Sequence, residues 1–510
     1  MKLSARARLY IPTDMRTGSS GGAERTQYKW TVLTVTTVGV LMSGIDSRIV
    51  VIGIPQVAAA LHADAEQAIW FTQAYIFGST VTLLFIGRVS DMMGRVKIYT
   101  VGFTIFTVGS LLTSLSVSPD YVIVFRILQG FGSAALFANS AAIITDATPS
   151  DELGLFLGIN QVAFRVGAMA GLTLSGLILL FFDWRALFYI NIPIGIFGTY
   201  WAHRRLKEIS KPARGIPMDW PGLFTFTAAS VSILLALTYA AYGTFPVWGI
   251  AALASASAVF LALFVYRERR VPHPLLDLEL LKIKEFTGGV VAQMLNSLAW
   301  GAVILLLSLY LQLVKGLSPF AAGISIIPFD VAFLAVGPLS GKLSDKYGHL
   351  PFTTGGLTVM SASLLLLSTT TVSTPYAVLA LYLVVFGVGV GIFSSPNMSS
   401  IMGSVPPSDR GVASGVRATF FNVGYVLSFN VAILVMTAVL PFSVITAVIS
   451  SPNPAAIAGV DKVLFAKGLD YAFQVSAVIN ALAIAPSVLR GKRAAGSASS
   501  SQPTTGLELE

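Results

Sequence analysis

The octapeptide GRVSDMMG at residues 87–94 returns as GKLSDKYG at residues 341–348, 254 positions later. A second alignment reaches further. At an offset of 257, Gly130, Gly132, Pro149, Gly154, Gly158 and Gly167 fall on Gly387, Gly389, Pro406, Gly411, Gly415 and Gly424. Small residues spaced for helix packing explain individual glycines, but not a common register sustained from Gly130 to Gly167. The chain therefore repeats in parallel, its second half retracing its first.

Working outward from the octapeptides, the flanking sequence is apolar almost throughout. A 510-residue chain with 55% apolar and 11% charged residues fits no ordinary soluble class. Apolar runs of roughly 18 to 25 residues recur, each long enough at ~1.5 Å per residue to cross a ~30 Å hydrocarbon core. Helices must carry them, because backbone groups in lipid need partners within their own segment. The runs fall near 30–54, 68–88, 97–117, 120–145, 154–181, 186–203, 219–241, 246–266, 287–313, 319–341, 351–372, 376–401, 411–439 and 469–489.

The pattern predicts an all-α polytopic membrane protein with fourteen spans. The repeat groups them as two six-helix bundles, residues 30–203 and 287–490, with two extra central helices and basic loops in 204–286 between them. Residues 1–29 read as a cytoplasmic N-terminal tail, since they lack a short apolar core with a cleavage site, and 491–510 as a disordered C-terminal tail. An even span count puts both termini on one side. With that side cytoplasmic, 25 of the 33 Lys and Arg lie in inner loops and tails, 4 in outer loops and 4 within spans. That asymmetry orients the chain in a cell (inner) membrane with both termini inside. Residues 440–468 form the longest outer loop and are expected at the membrane surface.

The net charge of +9 sits in short loops rather than on one polar face, which argues for topology and against nucleic acid. With no cysteine in the chain, disulfides, thiolate metal sites and thiol catalysis are excluded. The four histidines, His62, His203, His273 and His349, lack metal-ligand spacing. GxSxG, HExxH and P-loop motifs are missing, so neither a membrane-embedded enzyme nor a nucleotide-driven pump is expected. The remaining expectation is transport energised by an ion gradient, with no cofactor and no metal.

Several motifs carry a family resemblance, which covers nearly all of residues 30–490. GRVSDMMGRVK at 87–97 looks like the loop signature after the second span of the major facilitator superfamily, and RILQGFGSAA at 126–135 like its fourth-span signature. DWRALFYINIPIG at 183–195, MDWPG at 218–222, YLQLVKGLSPFAAG at 310–323 and GIDSRIVVIGIP at 44–55 resemble segments of its fourteen-spanner drug/proton antiporter family. This chain departs from that family's usual pattern at Arg48 and Val51, where threonine and asparagine are customary. GAMAGLTLSG at 167–176 resembles the antiporter motif, with glycines at Gly167, Gly171 and Gly176 but Leu172 in place of its proline. The resemblance implies a major-facilitator fold and proton-coupled export of amphipathic small molecules (multidrug-type efflux). It also implies that Gly87, Asp91, Gly94 and Arg95, with their twins Gly341, Asp345 and Gly348, form a conformational latch.

Ionisable groups inside spans are costly and need a partner, a watery cavity or a task. Six qualify: Asp46, Arg48, Arg126, Arg165, Asp330 and Arg417. Counting from span ends places Asp46 and Arg126 at one depth and Asp330 and Arg165 at another, which permits two Asp/Arg pairs. Asp46 and Arg48, two apart on one helix, point to different faces. Asp46, beside Arg126, is the first candidate for the coupling proton, and Asp330 the candidate for a second proton or for binding a cationic solute group; a permanent Asp46–Arg126 ion pair, and an Asp330 that merely lines a vestibule, are the alternatives. Candidate cavity residues are Arg48, Asn160, Arg165, Asn296, Arg417 and Asn422. At the offset of 257, Asn160 and Arg165 align with Arg417 and Asn422, the same two residue types in exchanged order. Four arginines against two aspartates disfavour a dicationic solute, so a neutral, amphipathic or anionic one, a lipid included, is expected. The partners are then a small amphipathic substrate, protons and the lipid bilayer, with the chain acting as a monomer.

Overall fold

Gly94 and Gly348, the last residues of the twin octapeptides, adopt φ values of 104° and 87°, which only glycine takes without strain. Each closes one helix and opens the next, its N–H reaching back 2.8 Å to the carbonyl of Ser90 or Ser344. The repeat is thus local structure before it is topology. The computed structural model describes residues 19–149, 152–210, 219–242, 245–272, 274–276, 278–405, 410–450 and 461–491. Among these there are helices and connecting turns and no strand.

The first half holds α1 (Ser19–Leu61), α2 (Ala65–Met93), α3 (Arg95–Ser114), α4 (Pro119–Ala147), α5 (Leu153–Phe181), α6 (Ala186–Tyr189) and α7 (Asn191–Arg205). Two further helices, α8 (Trp220–Tyr242) and α9 (Val247–Glu268), pack on each other. The second half holds α10 (Lys284–Trp300), α11 (Val303–Leu313), α12 (Pro319–Tyr347), α13 (His349–Ser368), α14 (Tyr376–Gly403), α15 (Arg410–Thr437), α16 (Phe442–Ser450), α17 (Lys462–Leu482) and α18 (Ile484–Leu489). Twelve segments of the described residues are long and apolar enough to cross a membrane. The two other expected spans fall on α2, a 29-residue helix, and on α6 and α7, helices of 4 and 15 residues that meet at Ile190.

Local sequence sets these boundaries. Asp64 and Gln67 form a reciprocal capping box at the start of α2, with Gln67 N–H donating to Asp64 Oδ1 at 2.8 Å. Ser318 caps α12 ahead of Pro319 in its first turn. The apolar run 287–313 does not form one uninterrupted helix. It breaks at Gly301 and Ala302, where the Ser428 hydroxyl of α15 accepts the Ala302 N–H at 2.9 Å.

Packing repeats with the same register as the sequence. A side chain on Gly130 would strike the Tyr75 carbonyl, and one on Gly387 the Phe329 carbonyl. Gly132 lies against Gly102 and Phe106, and Gly389 against Gly356 and Met360. Close backbone approach at these glycines lets α4 cross α2 and α3, and α14 cross α12 and α13, the small-residue packing that membrane helices rely on.

The two halves meet at the end away from the Gly94 and Gly348 turns. There Gly176 of α5 faces the Phe320 backbone of α12, and Gly323 of α12 faces the Leu172 carbonyl. Leu172, standing where the antiporter motif has proline, is buried in this crossing. The segment expected as a surface loop, 440–468, contributes α16, which packs on α1, α2 and α11 with Ile445, Val448 and Ile449 buried. Its apolar side is satisfied by protein rather than by a membrane surface. Residues 451–460 lie outside the described set.

Candidate functional site

Between the halves lies a cavity of about 180 Å³. Its walls run from Tyr75, Ser133 and Trp300, just beneath the end where the halves meet, to Leu83, Gln161, Gln293 and Arg417 nearer the Gly94 and Gly348 turns. Three of the intramembrane arginines, Arg48, Arg165 and Arg417, line it, as does Asn422.

Arg48 of α1 reaches across to Asp330 of α12. Its Nη1 donates to Oδ1 at 3.0 Å and to Oδ2 at 3.1 Å, with both side chains almost fully buried. The depth match of Asp330 with Arg165 is therefore not a direct pair; Arg48 occupies both Asp330 oxygens, and depth cannot reveal which helix face meets which. Arg165 instead lies over the Phe333 ring, 4.4 Å from its centroid, and has no hydrogen bond or ion pair among the described residues. Arg417 Nε is buried without a partner among the described residues.

Asp46 faces the other way, into the first half. Arg126 Nη1 donates to its Oδ2, while Gln129 Nε2 at 2.9 Å and Asn191 Nδ2 at 2.8 Å donate to Oδ1. Arg126 also donates from Nε to the Phe71 carbonyl at 2.9 Å and lies 4.5 Å from the Tyr75 ring centroid. Neither Asp46 nor Arg126 is in the cavity wall, and both are fully buried. Gln129, Asn191 and Ser110 complete this cluster and are missed by a sequence reading that weighs only ionisable residues at such depths; the amides beside Arg126 and Pro193 are the available signal.

Two expected cavity residues are placed elsewhere. Asn160 is buried in helix packing, accepting from Ser140 Oγ at 3.0 Å, and Asn296 sits inside the second half, donating to Asn480 Oδ1 at 2.8 Å. Both face their own half, where amides serve as interhelical glue. Gly167 and Gly171 pack α5 on the carbonyls of Leu41 and Ile45 in α1.

At the Gly94 turn, Arg95 Nη1 donates to Asp146 Oδ1 at 2.7 Å. The Arg95 and Val96 N–H groups, which open α3, donate to Glu208 at 2.9 Å and 3.0 Å. Glu208 is a further residue that the sequence alone does not single out. The Asp91 side chain lies outside the described residues; Asp345 is exposed, Gly341 lies against Ser395, and Gly87 has no neighbour at its Cα face.

A chain of amides also joins the halves above the cavity. Gln73 of α2 donates to Asn430 Oδ1 of α15 at 2.9 Å, and Asn430 Nδ2 donates to Thr238 of α8 at 3.0 Å, all three buried.

Two repeated helical halves around a polar, arginine-lined cavity, closed at one end, define a secondary-transporter fold. The chain belongs to the Major Facilitator Superfamily, whose model matches residues 36–429. It is 35% identical to the riboflavin transporter RibZ of Clostridioides difficile, over 78% of this chain and 86% of that protein. It is 27% identical to the tetracenomycin C resistance and export protein of Streptomyces glaucescens, over 78% of this chain and 73% of that protein. Among solved structures, a single-residue variant of the nucleoside transporter NupG superposes with a TM-score of 0.61 at 12% identity, covering 90% of this chain and 100% of that one, which speaks to fold alone.

Proposed function

We propose that this chain is a proton-coupled exporter of amphipathic small molecules, working by alternating access. The observation that carries the reading is the Arg48–Asp330 ion pair, which ties one half to the other at the wall of the central cavity. A carboxylate that gains a proton loses its charge and most of its hold on a guanidinium, so protonation of Asp330 would free the halves to rock apart. Asp46, held wholly within the first half by Arg126, is the second protonatable group and would respond only if that bundle loosens. Relatives named for riboflavin transport and for tetracenomycin C export support an organic solute.

In this reading the rest of the cycle consists of contacts to be broken. The Gly176–Phe320 crossing and the Gln73–Asn430–Thr238 chain would form the outer gate, and the glycine turns with Arg95 and Asp146 the inner latch. With the basic loops inside, both termini are cytoplasmic and the closed end is external. We read fourteen spans, counting α2 and the α6–α7 pair, with α8 and α9 as the extra central helices between two six-span bundles.

The test is solute-dependent proton movement in proteoliposomes with an imposed pH gradient. Dissipation that requires both a solute and Asp330 is expected. Solute movement that ignores the gradient, with Asp330→Asn and Asp46→Asn both behaving as wild type, would overturn the coupling and favour a lipid or lipid-like anion exporter on the same fold.

A further inference from the structure

The charge of the transported solute follows from which arginines are already satisfied. Of the four intramembrane arginines, Arg126 and Arg48 each hold a carboxylate. Arg165 and Arg417 hold none among the described residues, and both are in the cavity wall. No Asp or Glu lines that cavity among the described residues, and both oxygens of the neighbouring Asp330 are taken by Arg48. The cavity therefore carries two positive charges that the described part of the chain does not neutralise.

Such an arrangement is costly unless something answers it. Two partly shielded guanidiniums within electrostatic range of each other repel unless an anion answers them. They come from opposite halves, Arg165 from α5 and Arg417 from α15, so an anion held by both would also draw the halves together. Six aromatic residues share the wall with them: Tyr75, Phe137, Phe164, Trp300, Phe421 and Tyr425. Trp300 and Tyr425 pack edge to face at 5.7 Å, giving a rigid apolar platform beside the charges.

Resting on the transport reading above, we infer that the site is built for an organic anion: an apolar, preferably aromatic body bearing one carboxylate, sulfonate or phosphate. The acidic group lies between Arg165 and Arg417, which can each donate two parallel hydrogen bonds to it, and the ring system lies against Trp300, Phe421 and Tyr425. Asn422 and Gln161 stand in the same wall as neutral donors. A cationic drug would meet two like charges and no free carboxylate.

The experiment measures binding to the wild-type protein in lipid nanodiscs by titration calorimetry, with three ligands sharing one ring system: 2-naphthoate, 2-naphthylmethanol and 2-naphthylmethylammonium. Naphthoate should bind at least about tenfold tighter than the alcohol, as one charge-assisted hydrogen bond commonly provides, and the ammonium weakest of all. Arg165→Gln and Arg417→Gln should each erase the preference for the anion over the alcohol, and Arg417→Lys should restore part of it. Octanoate distinguishes a lipid-derived anion from an aromatic one: equal binding assigns the site to acyl anions, weaker binding to aromatic ones. Ammonium binding as tight as naphthoate, or a naphthoate preference that survives both Gln variants, would overturn the inference. Counterflow of the same ligands separates it from the transport reading: anion binding without counterflow defeats transport alone, and counterflow of the ammonium alone defeats the anion site alone.

Discussion

Arg48 and Asp330 stand on opposite halves of the molecule, 282 residues apart, joined by one Arg48 nitrogen that lies 3.0 Å and 3.1 Å from the two carboxylate oxygens. The bond is buried, so it is worth most while the cavity stays closed to bulk water. Replacing Asp330 with asparagine keeps the shape and one acceptor but abolishes the proton-dependent change in charge. Gradient-driven transport should fall about tenfold or more, since hydrogen bonds to charged groups are worth ~1.5–3 kcal/mol, whereas solute exchange without a gradient should persist. Parallel counterflow and pH-driven uptake assays check this. Equal losses in both would mean that the pair is only structural.

The Asp46–Arg126 pair makes a different prediction, because both partners lie within one half and are sealed from the cavity. Arg126→Leu leaves a buried carboxylate with only Gln129 and Asn191 as donors. A cost of ~3–5 kcal/mol is expected, and Asp46→Leu combined with Arg126→Leu should recover much of it, since apolar replacement of a buried pair is often neutral. Thermal unfolding in detergent, followed by intrinsic tryptophan fluorescence, gives the comparison. If the double variant is less stable than Arg126→Leu alone, the buried-charge account of this site is wrong.

The proposed outer gate can be tested directly because the chain has no cysteine. Ala322 is fully buried in α12, beside Gly323 at the α5 crossing. A cysteine at Ala322 should be unreactive toward a hydrophilic maleimide. Adding Asn430→Ala, which removes the bonds to both Gln73 and Thr238, should raise that reactivity several-fold. Each lost buried hydrogen bond is worth ~1 kcal/mol, about fivefold in an opening equilibrium. Unchanged labelling would show that the amide chain does not hold the gate.

The repeat was legible because close helix crossings demand glycine, and glycine leaves a mark at a fixed offset: the Gly130–Tyr75 and Gly387–Phe329 contacts are the same contact twice. Apolar run length revealed the helices for a similar reason, since lipid allows few alternatives. What stayed hidden was rotational phase. Depth along a span put Asp330 level with Arg165, but only the packing of α1 against α12 gives Asp330 to Arg48. Asn160 and Asn296 look like cavity residues in a one-dimensional count and turn inward within their own halves. The break between α10 and α11 is set by a hydroxyl from α15, so nothing in the uniformly apolar run from 287 to 313 announces it.

The twin glycine turns allow a prediction in which sequence symmetry and structural asymmetry disagree. Gly94 and Gly348 share a backbone conformation, with φ of 104° and 87°, that an alanine adopts only at a cost of ~1–3 kcal/mol. Strain alone would make Gly94→Ala and Gly348→Ala equally harmful. Their surroundings differ, however. Nothing lies within 4 Å of a Cβ built on Gly348, whereas one on Gly94 would meet the Glu208 carboxylate. That carboxylate accepts the Arg95 and Val96 N–H groups at 2.9 Å and 3.0 Å, answering the unpaired donors and positive dipole end of α3. Gly94→Ala should therefore lose the cap as well, for a further ~0.5–2 kcal/mol, and unfold at a lower temperature than Gly348→Ala. In Glu208→Ala the cap is already gone, so adding Gly94→Ala should then cost only the strain, matching Gly348→Ala. Tryptophan-monitored melts of the four variants decide the matter. Equal shifts for the two glycine variants in the presence of Glu208 would show that the carboxylate does not cap α3.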